Sequence, residues 1–288
     1  MSRNPERPPA PEPLPVPVVD NHCHLDIAAG FDGGLPVEQA LAEAAGVGVP
    51  RIVQIGCDLP GARFAVEAAR THRGIVAGVA LHPNEAPVLA ARGELEAAYA
   101  EIERLAADPV VRAVGETGLD YYRTGEDGRA AQHESFRWHV DLAKRLDKTL
   151  VIHDRDSHDD IVRVLDEVGA PDRWVMHCFS GDADFARACL DRGAHLSFAG
   201  TVTFKNAVPV QEALRTTPLD RVLVETDAPF LTPMPYRGRV NASYLVPVTV
   251  RAMAQMRGDD LELLCAAIAA NTDRAFGGTW DSWDQSDA

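Results

Sequence analysis

The chain has 288 residues, of which 46% are hydrophobic and 25% charged, and its formal net charge is −15. It contains no run of roughly 18 apolar residues, which excludes a membrane-spanning helix. The negative charge argues against a broad basic surface that grips duplex nucleic acid. It leaves a nuclease open, because bound metal ions can supply local positive charge.

Residues 1–16 are rich in proline and lack the apolar segment of a secretory signal. This composition predicts an extended, poorly ordered leader before the first strand. The five cysteines are scattered and odd in number, which is typical of reduced thiols rather than of a disulfide framework. We therefore expect a cytoplasmic protein.

Short runs of β-branched residues alternate with alanine-rich helical stretches along the rest of the chain. Eight strands are predicted, at Pro17–Asn21, Arg51–Gly56, Ile75–Ala80, Val111–Gly115, Thr149–Ile152, Trp174–Met176, His195–Phe198 and Arg221–Val224. The predicted helices are Val37–Ala45, Ala62–His72, Glu94–Ala106, Ala130–Arg145, Asp159–Val168, Ala183–Asp191, Val208–Arg215, Val246–Met256 and an extra C-terminal one at Asp260–Phe276.

This alternation predicts an α/β fold with a parallel sheet. A doubly wound open sheet is the alternative, but eight evenly spaced strands favour a TIM-type (β/α)8 barrel. We expect a single barrel domain over residues 17–277 and a polar tail at 278–288.

Six side chains of metal-binding type lie at the C-terminal ends of the predicted strands, which meet at one mouth of a closed barrel. They are His22, His24, Glu116, His153, His177 and Asp227. Any one alone is more often an ordinary polar residue, a helix N-cap or an ion-pair partner. Together they have no structural reason to gather, because each would need a polar partner in the same cavity.

Six ligands are too many for one ion that must leave a position open for water, so the pattern predicts two divalent ions. His22, His24 and Asp227 are expected at the first ion, His153 and His177 at the second, and Glu116 between them. Mg, Mn, Fe and Zn all suit such ligands. Many binuclear barrel hydrolases use a carbamylated lysine as the bridge, but no lysine lies near the fourth strand in the sequence.

Three further residues are candidates for substrate contact. His82 precedes Pro83, and a turn histidine is about as plausible as a substrate contact. Arg155 is a candidate phosphate clamp, since guanidinium binds phosphate bidentately, and an ion pair with a neighbouring aspartate is the alternative. Glu225 is expected near substrate or behind a ligand histidine that it orients.

Aromatic residues in the predicted rim loops, Tyr121, Tyr122 and Phe179, are expected to stack on a base. The other histidines lie on helices or away from the strand ends, and we expect them to be structural: His72, His133, His139, His158 and His195.

Four segments carry a family likeness: Asp20–Asp26, Gly115–Asp120, His177–Gly181 and Leu223–Pro229. With His82-Pro83 and His153-Asp154-Arg155, they resemble the TatD family of metal-dependent deoxyribonucleases over nearly the whole chain after the leader. The resemblance implies a barrel of the metallo-dependent hydrolase type with a one- or two-metal centre. It also implies hydrolysis of DNA phosphodiester bonds, often from a 3′ end, and makes the same six residues the ligands. Asn21, Thr149 and Ser243 depart from the family pattern, but none of them replaces a ligand.

We therefore expect a deoxyribonuclease that uses two divalent ions (Mg, Mn or Zn), with Asp227 and Glu116 as the catalytic carboxylates. Its expected partner is DNA, with single strands or 3′ ends favoured, and a monomer is favoured while the oligomeric state stays open. A binuclear amidohydrolase acting on a C–N bond or a lactone is the alternative. A barrel in which the metal is only structural is a second one.

Overall fold

The computed structural model describes residues 6–277. Its eight strands form one sheet in chain order, and every neighbouring pair is parallel. They are β1 (Val19–Cys23), β2 (Arg51–Gly56), β3 (Ile75–Val79), β4 (Val111–Asp120), β5 (Thr149–Arg155), β6 (Trp174–Met176), β7 (His195–Phe198) and β8 (Val222–Val224).

The first and last strands meet and bring the sheet nearly to closure. The Asn21 side chain donates a hydrogen bond to the Val224 carbonyl at 2.8 Å. Beyond it, Cys23 pairs in parallel with Ala228. The predicted eight-stranded barrel is confirmed.

Eleven α-helices lie between and after the strands in the described part of the chain. They are α1 (Leu25–Ala29), α2 (Val37–Gly46), α3 (Leu59–Thr71), α4 (Glu85–Arg92), α5 (Leu95–Ala106), α6 (Glu126–Arg145), α7 (His158–Val168), α8 (Ala183–Leu190), α9 (Val208–Thr216), α10 (Val246–Arg257) and α11 (Leu261–Ala275). All nine predicted helices are present, whereas α1 and α4 are not predicted because one or two turns show little periodicity. None of the helices over residues 6–277 is long and apolar enough to cross a membrane.

Apolar residues fill the lower half of the barrel. One buried cluster joins inward-facing strand residues with the end of the extra helix: Val19, Val53, Ile55, Val76, Ala113, Val151, Val175, Leu223, Ala275 and Phe276. A larger cluster lies between the strands and the surrounding helices. Because α11 carries Phe276 against the strand residues, the polar residues inside the barrel are left to the opposite end, where the strands finish.

Irregular pairing in two strands positions side chains at that end. In β1, Asp20 pairs with Ile52 and Cys23 with Gln54, so three steps on one strand match two on its neighbour. The same irregularity lies between Val114 and Thr117 in β4. Such bulges change the direction in which side chains point, and the two irregular stretches contain His22 and Glu116.

Strands β4 and β5 run further than predicted, to Asp120 and Arg155, because their polar ends still pair along the backbone. The sequence prediction ended them at Gly115 and Ile152, where the apolar run stops. Their close approach depends on Gly118, which has φ of +140°, and a Cβ there would lie 2.0 Å from the His153 carbonyl oxygen.

The proline-rich leader is predicted to be poorly ordered, but its described part lies against the barrel. Arg7 forms an ion pair with Glu43 in α2 at 2.8 Å. The Tyr244 hydroxyl donates to the Pro8 carbonyl at 2.7 Å. The Leu14 N–H donates to Val47 at 3.1 Å. Residues 1–5 and the predicted tail at 278–288 lie outside the described residues.

Buried His139 in α6 generates a prediction about acid stability. Its Nε2 accepts a hydrogen bond from the Leu81 N–H at 3.1 Å, and its Nδ1 donates to the Ser135 carbonyl at 2.7 Å. Burial lowers the pKa of His139 from 6.5 to about 4. Since the unfolded chain takes up this proton first, His139 favours folding above pH 6.5, and that contribution is lost as the pH falls towards 4.

We expect His139→Gln to show a smaller loss of stability between pH 7.5 and 5 than the wild-type protein. The difference in the free energy of unfolding is expected to be about 2 kcal/mol. Denaturant titrations at both pH values, with a chelator present, measure it. His72→Gln, at a half-buried histidine after α3, is the control. Equal pH dependence in His139→Gln and wild type would contradict the assignment.

Candidate metal centre

The side chains of the six candidate ligands meet inside the mouth of the barrel, around the Glu116 carboxylate. His22 Nε2 and His24 Nε2 lie 3.7 and 3.6 Å from Glu116 Oε1. His153 Nδ1 and His177 Nε2 lie 3.2 and 3.1 Å from the other oxygen, Oε2. Each carboxylate oxygen thus faces its own pair of histidines, the arrangement that a bridging carboxylate requires.

Asp227 joins the first pair of histidines. Its Oδ1 lies 3.2 Å from His24 Nε2 and 3.9 Å from His22 Nε2. The Asp227 N–H donates to the His22 carbonyl at 2.9 Å, which ties the loop after β8 to β1. His22 and His24 are two residues apart and both turn towards this carboxylate, although the pairing of β1 is irregular at His22 and the strand ends at Cys23.

The unpartnered imidazole of His22 fits a metal ligand. It is fully buried, and neither ring nitrogen has a hydrogen-bond partner among the described residues. A buried polar group without a partner is costly, and a bound cation would remove that cost. Two ligand atoms about 2.1 Å from one tetrahedral ion lie about 3.4 Å apart. The N···O distances of 3.1 to 3.7 Å around Glu116 therefore suit divalent ions.

The pKa shifts of side chains in the centre also fit a site that binds a cation. Burial alone would raise the pKa of Glu116, but the surrounding imidazoles hold it well below its ordinary value. Burial lowers the pKa of His22, which favours the neutral imidazole that a metal ligand requires. Burial opposes protonation of His24 as well, yet Asp227 raises the pKa of His24 to about 9. The negative field that holds a proton on His24 would equally attract a metal cation.

Two histidines are oriented by partners behind them. His177 Nδ1 lies 2.8 Å from Glu225 Oε1, which also accepts from the Cys178 N–H at 2.8 Å. His24 Nδ1 donates to the Ile55 carbonyl at 3.0 Å. In both rings Nε2 is left to face the centre. Glu225 is fully buried behind His177, so the orienting role fits it and direct contact with substrate does not.

Two residues that the sequence analysis gave no role complete the surroundings of the ligands. Asp120 Oδ2 lies 3.4 Å from His153 Nε2. The Cys57 thiol donates to Glu116 Oε1 at 3.1 Å. Both lie at the C-terminal ends of strands, β4 and β2, which was the available signal. The predicted contact residue His82 has its ring centroid 4.5 Å from that of His153, within reach of a molecule bound at the centre.

The candidate rim residues lie in different environments. Arg155 is exposed and lies 4.0 Å above the Tyr122 ring, and it forms no ion pair with a described residue. The Tyr121 hydroxyl donates a hydrogen bond to the Asp160 carboxylate. Phe179 is 1% exposed and packs among other aromatic rings, so the prediction that it stacks on a base is wrong. A loop residue can turn back into the core, and its position in the sequence does not reveal this.

None of the three lysines contacts Glu116. Lys148 donates to the Val111 carbonyl at 2.6 Å, at the opposite end of β4. Lys144 donates to the Val168 carbonyl at the end of α7, and Lys205 is exposed. A modified lysine is therefore not available beside the four histidines, whereas the carboxylate of Glu116 is.

Comparisons with known proteins agree with this geometry. The family model described as TatD related DNase matches residues 19–277. An uncharacterized metal-dependent hydrolase, TatD of Mycobacterium tuberculosis, is 45% identical over 267 residues, which cover 91% of this chain and 99% of the relative. The uncharacterized metal-dependent hydrolase YcfH of Escherichia coli is 36% identical over 261 residues, with coverages of 90% and 95%. The crystal structure of YjjV, a TatD homolog from Escherichia coli, aligns with a TM-score of 0.82 at 25% identity, covering 91% of this chain and 98% of that one.

A (β/α)8 barrel with a cluster of histidines and carboxylates at its strand ends is the framework of a metal-dependent hydrolase. The chain belongs to the TatD family of these hydrolases.

We expect Glu225→Gln to weaken divalent-ion binding about 10- to 100-fold, because glutamine keeps the hydrogen bond to His177 but removes the charge behind it. Titration calorimetry of chelator-stripped protein measures the change. Glu134→Gln, the same substitution at an exposed position of α6, is the control. Unchanged affinity in Glu225→Gln would show that its charge does not support His177 as a ligand.

Proposed function

We propose that the chain hydrolyses phosphodiester bonds in DNA, working from 3′ ends, with two divalent ions held on either side of Glu116. The observation that carries the proposal is the Glu116 carboxylate, each of whose oxygens faces a separate pair of histidines. Membership of a family described as TatD related DNase supports DNA as the substrate.

Bound ions would supply two kinds of chemistry here, by lowering the pKa of water and by neutralising charge on a phosphate. His22, His24 and Asp227 would hold one ion, His153 and His177 the other, and Glu116 would contact both. Mg, Mn and Zn all suit these donors. Glu225 keeps the ring of His177 in place through their 2.8 Å contact.

Asp227 is the carboxylate that accepts the proton of the attacking water in this proposal. Its side chain is 16% exposed, whereas that of Glu116 is 5% exposed and lies deeper. Asp227 therefore borders the open side of the centre, where a water molecule can approach. It orients that water and accepts its proton as the bond to phosphorus forms.

The phosphate and the leaving group meet residues at the rim. Arg155 is exposed at the end of β5 and free of ion pairs with described residues, so its guanidinium can bind a non-bridging phosphate oxygen. His82 borders the second pair of histidines and contacts the substrate there. The displaced sugar oxygen leaves opposite the attacking water.

A chelator-stripped nuclease assay tests the proposal. Mg, Mn and Zn are restored one at a time, and single-stranded DNA labelled at either the 3′ or the 5′ end is the substrate. We expect metal-dependent shortening from the 3′ end. A lactone and an amide are assayed in parallel, because an amidohydrolase is the alternative. Metal-restored turnover of either, without phosphodiester cleavage, would overturn the proposal.

Glu116→Gln and Asp227→Asn are each expected to lower turnover by a factor on the order of 100 or more. The first removes the charge shared by the two histidine pairs, and the second removes the proton acceptor. Steady-state cleavage of labelled single-stranded DNA measures both. Asp172→Asn, at an exposed aspartate before β6, is the matched control. Near-wild-type turnover in Glu116→Gln would contradict the proposal that Glu116 contacts both ions.

The enzyme is expected to cleave at ends and in single strands, and to leave covalently closed circular duplex intact. A net charge of −15 provides no long basic groove for the interior of a duplex. Gel analysis of supercoiled plasmid beside linear single-stranded DNA, at equal nucleotide concentration, measures the preference. Efficient nicking of the plasmid would count directly against it.

A further inference from the structure

Two arginines at the mouth of the barrel are stacked on aromatic rings. The Arg155 guanidinium lies 4.0 Å from the centre of the Tyr122 ring, and that of Arg237 lies 4.3 Å from the centre of the Phe204 ring. Both arginines are exposed, and Tyr122, at 66%, is the most exposed large hydrophobic side chain among the described residues. We call these the Tyr122–Arg155 pair and the Phe204–Arg237 pair.

The two pairs occupy different sides of the mouth. Tyr122 follows β4 and Arg155 ends β5, whereas Phe204 follows β7 and Arg237 lies in the loop after β8. Since the strands lie around the barrel in chain order, β6 separates the two pairs on one side and β1, β2 and β3 separate them on the other. The second pair rests on a braced loop, because the Met234 N–H donates to Thr203 Oγ1 at 2.8 Å.

Aromatic rings, and not carboxylates, are the partners of these two arginines. Acidic residues outnumber lysine and arginine by 43 to 28, and many described arginines are ion-paired, such as Arg163 and Arg192. Arg155 and Arg237 form no ion pair with any described residue and stack on rings instead. A guanidinium stacked on a ring keeps its N–H donors free at the edges for a phosphate.

We propose that the Tyr122–Arg155 and Phe204–Arg237 pairs clamp single-stranded DNA on two sides of the metal centre, a role that rests on the nuclease activity proposed above. The arginines bind backbone phosphates, and the face of the exposed Tyr122 ring that Arg155 does not cover is open to an unpaired base. Stacking tolerates any sequence, because every base has a π face. Bases inside a duplex are stacked on one another and cannot reach the rings.

Fluorescence anisotropy with the metal-loaded enzyme tests the clamp. The probe is a labelled, slowly hydrolysed phosphorothioate oligothymidine of about 12 nucleotides, within the usual site size. We expect Tyr122→Ala and Arg237→Ala each to weaken binding about tenfold and Tyr122→Phe to restore it. Arg73→Ala, at an exposed arginine between α3 and β3 at the other end of the barrel, is the control. Losses no larger than that of the control would overturn the clamp.

The salt dependence of DNA affinity distinguishes phosphate contacts from base stacking. In Arg237→Ala the slope of log K against log salt is expected to become shallower by about 0.7, the value for one phosphate contact on a single strand. In Tyr122→Ala the slope is unchanged, because stacking releases no counterion. An unchanged slope in Arg237→Ala, or equal losses of affinity for blunt duplex and single strand, would contradict the proposal.

A small phosphodiester substrate tests catalysis separately from the binding of a DNA strand. Bis(p-nitrophenyl) phosphate is too small to reach both pairs, so Arg237→Ala, on the side away from Arg155, should hydrolyse it at the wild-type rate. KM for single-stranded DNA should rise in both Arg237→Ala and Tyr122→Ala. If the wild-type enzyme cleaves DNA but KM does not rise in either variant, the clamp is wrong and the proposed function stands. If it cleaves no phosphodiester, the proposed function fails, whatever the anisotropy shows.

Discussion

The buried carboxylate of Glu116 is the group on which the arrangement of the mouth depends. Four imidazoles approach its two oxygens at 3.1 to 3.7 Å, from β1, β5 and the residues that follow β1 and β6. Taking a charged carboxylate out of water is expensive unless positive or polar partners surround it. These partners come from distant parts of the sequence, so only a closed barrel brings them together.

The need to surround the Glu116 carboxylate with partners explains two irregular features of the strand pairing. The bulges in β1 and β4 interrupt the regular pairing at His22 and at Glu116, where side chains must turn into the mouth. The opposite end of the barrel is filled by apolar residues, with Phe276 delivered by α11. An apolar lower half and a polar mouth divide the barrel interior into a part that stabilises and a part that can do chemistry.

The bounds of a strand can be predicted from the sequence where a single physical rule determines them. Strands β2, β6 and β7 are found with their predicted bounds. Of these, β6 is a continuous apolar run, as is expected of a strand buried on both faces. The ends of β4 and β5 are missed, since their pairing persists after the side chains become polar. Asp120 and Cys57 are missed for a related reason. Their contacts with His153 and Glu116 arise from the closure of the barrel, which local pattern does not encode.

Charge connects the centre to its surroundings. An acidic chain with carboxylates in its mouth would repel a polyanion unless bound cations reversed the local sign. Beyond the reach of those ions, attraction must come from cations that carboxylates have not already neutralised. Arg155 and Arg237 meet this condition, because aromatic rings rather than acids hold them. Affinity for a nucleic acid would then be confined to the mouth, and the acidic remainder of the surface would disfavour binding elsewhere.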